Sequence, residues 1–308
     1  MTDAVKKTVL LVGASGALGG MIARALLEKP GVIPRCLVRP GSRAKLADLE
    51  AAGVRLVEGD LGADSEAALA AACSGVWSVV SAVQGGPDVI IDGQLRLLRA
   101  AIAARARRFI PSDYALDYFN LAEGENISTD WRRQFARAAD EQTAGTGLEV
   151  VHVLNGCFLD RRVLFGFLGM IDLDKGTARY WGDGDRPMDF TTYADTARYT
   201  AEAAVDPEPL PSRFNVAGET LDFHQLVRAY QEASGRTLKL ERLGSLEELD
   251  KELARRWQAE PGNMSSWLPL MFSRAMLNGK GRLGKLVNAR YPHIHPATVR
   301  EYVRREKL

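Results

Sequence analysis

Residues 8–19 read Thr8-Val9-Leu10-Leu11-Val12-Gly13-Ala14-Ser15-Gly16-Ala17-Leu18-Gly19, and this stretch decides the fold. Five residues with strand character run straight into three glycines spaced G-x-x-G-x-x-G, and a helical stretch, Ala17 to Glu28, follows at once. A glycine at a strand end permits a tight turn, the next lets a pyrophosphate approach the backbone, and the last lets helix and strand pack closely. Free N–H groups at the helix start, and the helix dipole, then favour phosphate charge. Gly13, Ser15, Gly16, Leu18 and Gly19 are therefore candidate cofactor-binding residues.

Outward from this turn the pattern repeats. Apolar runs at Val32–Val38, Val54–Val57, Val76–Val80, Arg108–Ile110 and Leu148–Leu154 alternate with helical stretches at 43–52, 65–72, 92–105 and 130–144. Short apolar strands between 10–15-residue helices predict a parallel sheet covered on both faces. The expected architecture is α/β: a Rossmann-type doubly wound parallel sheet over 1–156, with a smaller C-terminal α+β substrate domain over 157–308 sharing a cleft with it. Residues 185–216 are expected to pack back on the sheet. The stretch Pro261–Asn288, apolar but broken by Gly, Pro and Asn, reads as irregular loops and short helices. Within it Trp267, Leu268, Met271, Phe272 and Met276 have roughly helical spacing. They read first as core and second as a lid over a flat substrate.

Composition narrows the function. A charge of +1, from 40 Lys+Arg against 39 Asp+Glu, leaves no overall field for nucleic acid or an anionic membrane. No apolar run reaches the ~20 residues of a membrane span. Cys36, Cys73 and Cys157 form no C-x-x-C pair or disulfide framework, and no signal-peptide cleavage region is read, so a cytoplasmic setting is expected. His293 and His295 lack a ligand partner at metal spacing, so no metal site is expected.

Cofactor choice follows from the end of the second strand. NAD sites place Asp or Glu there for the ribose hydroxyls, but Arg39 stands twenty residues beyond Gly19, with Arg43 and Lys45 after it. A guanidinium pairs with a 2′-phosphate that a carboxylate would repel, so NADP(H) is expected. Asp113 and Tyr114 follow the fifth strand, where Rossmann-type sites lie, and are candidate proton donors or relays. His152, inside an apolar strand, reads as a core histidine, and Cys157 as a packing residue.

With these stretches in view, the sequence resembles the atypical short-chain reductases of the isoflavone reductase and phenylpropenoid benzylic-ether reductase type, a group that includes NmrA-like regulators. The likeness runs through the glycine turn, Leu37-Val38-Arg39, Arg107 to Tyr114, Asn155-Gly156-Cys157-Phe158, Gly182 to Asp185, Asp195 to Pro207 and the tail from Arg290 to Tyr302. It implies an NADPH-dependent reductase of a small aromatic substrate, with homodimerisation left open. It further implies Ser15, Gly16 and Leu18 at the pyrophosphate, and Arg39 and Lys45 at the 2′-phosphate. Ser81, Ala82 and Val83 would lie beside the adenosine, and Pro111, Ser112, Asn155 and Phe158 at the nicotinamide end. Such reductases place a lysine on the helix before the sixth strand. Here that helix offers Arg132, Arg133 and Arg137, no lysine lies between Lys45 and Lys175, and no Tyr-x-x-x-Lys occurs. Arg133 and Arg137 are the candidates for that place. A non-catalytic, NADP(H)-binding redox sensor is the alternative expectation.

Overall fold

Six short strands form one parallel sheet: β1 (Lys7–Val12), β2 (Val32–Val38), β3 (Arg55–Glu58), β4 (Ser78–Ser81), β5 (Arg108–Ile110) and β6 (Glu149–Val150). Their order is β3-β2-β1-β4-β5-β6, with Val12 level with Leu37 on one side and Ser81 on the other. The order reverses at β1, so the crevice at its carboxyl end is the switch point where such sheets bind ligands. β1 is central, and Val9, Leu10, Leu11 and Val12 are all buried, which is why it reads as a continuous apolar run. The helices between the strands are α1 (Ala17–Leu27), α2 (Ala47–Ala51), α3 (Glu66–Ala72), α4 (Gln94–Ala103) and α5 (Ile127–Thr143). Ser65 caps α3 through its hydroxyl, and Leu97, Leu98 and Ala101 of α4 enter the core beside Phe109 and Phe135.

The computed structural model describes residues 6–308, which fall into two units. The sheet unit comprises the chain through Tyr114, Ser128–Val153 and Thr196–Phe214. Its last segment is held by the carboxyl end of helix α6 (Tyr193–Val205). Lys7 Nζ donates to Val205 O at 2.6 Å, Ser78 Oγ to Ala204 O at 2.7 Å and Arg108 Nη1 to Ala203 O at 2.5 Å. Donors from β1, β4 and β5 thus satisfy carbonyls that a helix end leaves open, two of them carrying the positive charge the dipole favours there. Arg108 is wholly buried, and its ion pair with Glu149 and its bonds to Asp206 O and Glu208 O complete its hydrogen bonding.

The second unit comprises Ala115–Ile127, Leu154–Asp195 and Asn215–Leu308. It holds two three-stranded sheets: Glu219–Leu221, Met188–Thr191 and Cys157–Phe158 in one, Lys239–Gly244, Thr177–Trp181 and Ile171–Asp172 in the other. Phe190, Phe223, Leu226, Tyr230, Leu164 and Ile171 centre its core. Capping boxes at Asp222/Gln225, Ser245/Glu248 and Thr298/Glu301 start three of its helices.

The region expected to be irregular, Pro261–Asn288, instead contains a 14-residue helix, Met264–Leu277, with Pro269 inside it. An interior proline costs about 3 kcal/mol or more. Burial of Trp267, Met271, Ala275 and Met276 offsets it, and Trp267 packs on Trp257 with ring centres 4.3 Å apart. No helix among the described residues is long and apolar enough to cross a membrane.

Candidate functional site

The turn after β1 is built so that two of its glycines are required by the protein itself. Gly13 has φ +92°, and a Cβ there would stand 2.3 Å from Ala82 O. A Cβ on Gly19 would meet Gly13 O at 2.2 Å, so α1 seats against the turn only without a side chain. Gly16 differs: its nearest neighbour to a Cβ is Gly13 O at 3.4 Å, which the fold tolerates. Ser15, Gly16 and Ala17 are exposed and Leu18 is half-buried. Helix α1 begins at Gly16 with no side-chain cap and no acidic residue in its first turn, so its leading N–H groups and dipole face outward uncompensated.

Arg39 stands at the end of β2, exposed, and neither it nor Lys45 forms an ion pair with a described residue. Arg43, between them, is tied to Glu50. The loops following β3 and β4 enclose a cavity of about 440 Å³, lined by Leu61, Gly62, Val89, Gly93, Arg96 and neighbours. Arg96 donates to Leu61 O at 2.5 Å and Gly62 O at 3.0 Å, fixing that wall.

Beyond β4, Ser81 is buried with a hydroxyl that has no partner among the described residues, while Ala82 and Val83 are half-buried. Ser112 Oγ donates to Val83 O at 2.7 Å, and Ser112 N donates to Gln94 Oε1 at 2.8 Å, joining the ends of β4 and β5. Pro111, Ser112, Asp113 and Tyr114 are all buried. Asp113 Oδ2 lies 2.6 Å from His152 Nδ1, and Asp113 Oδ1 has no partner among the described residues. Tyr114 has φ +29°, rare for a bulky residue. Burial pushes its phenol above the ordinary range against the opposing effect of the Thr200 hydroxyl, with a smaller upward push from Asp113. At neutral pH the phenol therefore keeps its proton.

Helix α5 separates its three arginines. Arg133 is paired with Asp130. Arg137 is exposed and forms no ion pair with an acidic group among the described residues. Arg132 is the one brought to Asp113: its Nε donates to Asp113 O at 3.1 Å, and its Nη1 to Ser128 O at 2.7 Å. The sequence offers Arg133 and Arg137 for the lysine's place and reads His152 as core, and the structure brings Arg132 and His152 to Asp113. The residue type was visible, but a helix turns ~100° per residue, so adjacent arginines face different neighbours.

In the second unit Asn155 is wholly buried, its backbone held by Ala115 O and Thr191 Oγ1, and neither end of its amide has a partner among the described residues. Phe158 stacks on Tyr193 with ring centres 4.1 Å apart. Burial raises the Tyr193 phenol, and Cys157, pushed up to about 12 by burial, is an unreactive packing thiol. The stripe read as core or lid has Trp267, Met271 and Met276 buried, with Phe272 edge-on to Phe167 at 5.9 Å.

A parallel sheet in this order, with a glycine turn and an open helix N-terminus at its switch point, defines the Rossmann-type α/β class. Within that class the chain belongs to the NmrA-like family, whose model matches residues 5–266. Pinoresinol reductase 1 of Arabidopsis thaliana is 27% identical over 252 residues, 76% of each chain. A solved complex of AtPrR2 with NADP+ and (+)-pinoresinol superposes with a TM-score of 0.81 at 23% identity, over 99% of this chain and 100% of that one. The complex of leucoanthocyanidin reductase with NADPH from Vitis vinifera gives 0.78 at 20% identity, over 96% and 97%. These three proteins are reductases, and the two solved neighbours are NADP(H) complexes.

Proposed function

We propose that this chain is an NADPH-dependent reductase of small aromatic, phenylpropanoid-like compounds. The observation that carries the reading is the exposed start of α1, with an open Gly16, in a sheet whose β2 is followed by Arg39, which forms no ion pair with a described residue. The residues present fit the cofactor. An uncapped N-terminus suits a pyrophosphate, Arg39 suits a 2′-phosphate, and the buried, unpartnered Asn155 amide suits a polar group supplied from outside.

Bound NADPH would supply a hydride to the substrate. The chain's own residues would do the rest. The backbone at Ser15, Gly16 and Leu18 would border the phosphates, with N–H groups of Ser15, Ala17 and Leu18 turned to them, and Gly13 and Gly19 keep the turn tight enough to present them. Arg39 and Lys45 hold the 2′-phosphate, and Ser81, Ala82 and Val83 border the adenosine. Pro111, Ser112, Asn155 and Phe158 set the nicotinamide end. Tyr114, which keeps its proton, and Asp113 are the candidates for proton delivery. Arg133 and Arg137 are the candidates to steady negative charge as the hydride arrives.

A second reading, dinucleotide binding without turnover, is favoured by the burial of both Asp113 and Tyr114 and by the missing lysine. One experiment separates the two. Absorbance of purified protein with NADPH, and with NADH in parallel, is followed against enones, quinones, quinone-methide precursors and benzylic ethers. Substrate-dependent loss of NADPH supports the reductase. Tight NADPH binding with no consumption across the panel favours the sensor.

A further inference from the structure

The turn from Pro111 to Tyr114 is pinned from two sides. On one side Ser112 bonds the end of β4 through Val83 O, at 2.7 Å. On the other, Asp113 meets His152 at 2.6 Å and Tyr114 N donates to Val153 O at 3.1 Å. The turn is also strained, because Tyr114 sits at φ +29° and a side-chain-bearing residue holds such a backbone only when its surroundings supply the free energy. The Asp113 and His152 side chains are 0% and 2% exposed, so neither is reached from solvent as the molecule stands.

We infer that His152 is a positioning residue: by holding Asp113 it fixes the Pro111–Ser112 backbone and so sets the affinity for the nicotinamide half of NADP(H). This rests on the NADP(H) reading above. The geometry favours it over simple core packing on two counts. A histidine used only to fill space has no need of a carboxylate, and burying one is costly unless it is hydrogen-bonded. The pair is also placed directly behind the turn, one residue from Ser112, with Arg132 fastening the same residue through Asp113 O at 3.1 Å.

The test compares two ligands in calorimetric titrations: NADPH, and 2′,5′-ADP, which has the adenosine half and its 2′-phosphate but no nicotinamide. His152→Leu is expected to weaken NADPH by about tenfold, the worth of one buried hydrogen bond, and to leave 2′,5′-ADP within about twofold. His152→Asn, whose amide N–H stands near the place of Nδ1, is expected to restore most of the loss. Asp113→Ala, which removes the partner of His152 Nδ1, is expected to give the same split, and it carries the test if His152→Leu does not fold. Equal losses for both ligands, or undiminished NADPH binding in folded variants, would overturn the positioning role alone. Wild-type protein that binds neither ligand overturns the NADP(H) reading, and this inference with it.

Discussion

The β1–α1 turn and helix α5 both carry candidate site residues, but they fix them by different means. In the turn, the geometry comes from backbone atoms close by, six residues away for Gly19 and at the end of the adjoining strand β4 for Gly13. Gly13 and Gly19 are dictated by backbone atoms of residues 13 and 82, and Gly16 N bonds Gly13 O at 3.0 Å. In α5, three arginines within six positions receive unlike tasks. Arg132 braces the Asp113 turn, Arg133 is spent on Asp130, and Arg137 lies on the exposed face. A local motif therefore declares its residues, whereas a helix face acquires meaning only from what packs against it.

The sharpest way to break this contrast is within the turn. Gly19→Ala forces a Cβ against Gly13 O, so a loss of about 1–3 kcal/mol in stability is expected, together with loss of NADPH binding. Gly16→Ala should leave the melting temperature nearly unchanged, within about 0.5 kcal/mol, yet reduce NADPH binding more than tenfold. Thermal denaturation and titration on both variants check this. Undiminished binding by Gly16→Ala would mean that no phosphate approaches there.

Next in size is Arg39→Glu. Removing a charge-assisted contact and adding a repulsive one should cost NADPH about 2–3 kcal/mol and leave NADH nearly unaffected. Equal losses for the two nucleotides would remove the basis for NADP preference.

The α5 side of the comparison predicts smaller changes. Arg132→Ala should destabilise the protein by about 1–2 kcal/mol, because it loses hydrogen bonds to Asp113 and Ser128. Arg137→Ala should fall within about 0.5 kcal/mol. Matching effects in urea unfolding would show that the arginines are not distinguished as described.

The smallest expected effect lies in the second unit, where Glu125 accepts from Lys280 at 2.6 Å and Arg274 at 2.9 Å. Burial alone would raise its carboxyl, but those hydrogen bonds and one from Ala122 N outweigh it and hold it at about 2. A folded value below the unfolded value of ~4.3 means that this contribution is present above ~4.3 and lost as pH falls towards about 2. Stability measured across that window should flatten in Glu125→Gln, and an unchanged slope would assign acid sensitivity to other groups.

The sequence by itself determined the sheet and its binding end. Apolar runs spaced by helices specify a parallel sheet because its central strands are buried on both faces, and three glycines at the switch point mark where the backbone must come close. It also determined that β2 ends in an arginine and not a carboxylate. It misjudged Pro261–Asn288, since Pro269 argues locally against a helix that buried Trp267 and Met276 stabilise from a distance. Only the tertiary structure decided that His152 meets Asp113, 39 residues away, and that Arg132 is the arginine which braces that turn. Periodicity tells which face of an element is buried, but a polar group's partner inside is chosen by how separate elements pack, and no local pattern records that choice.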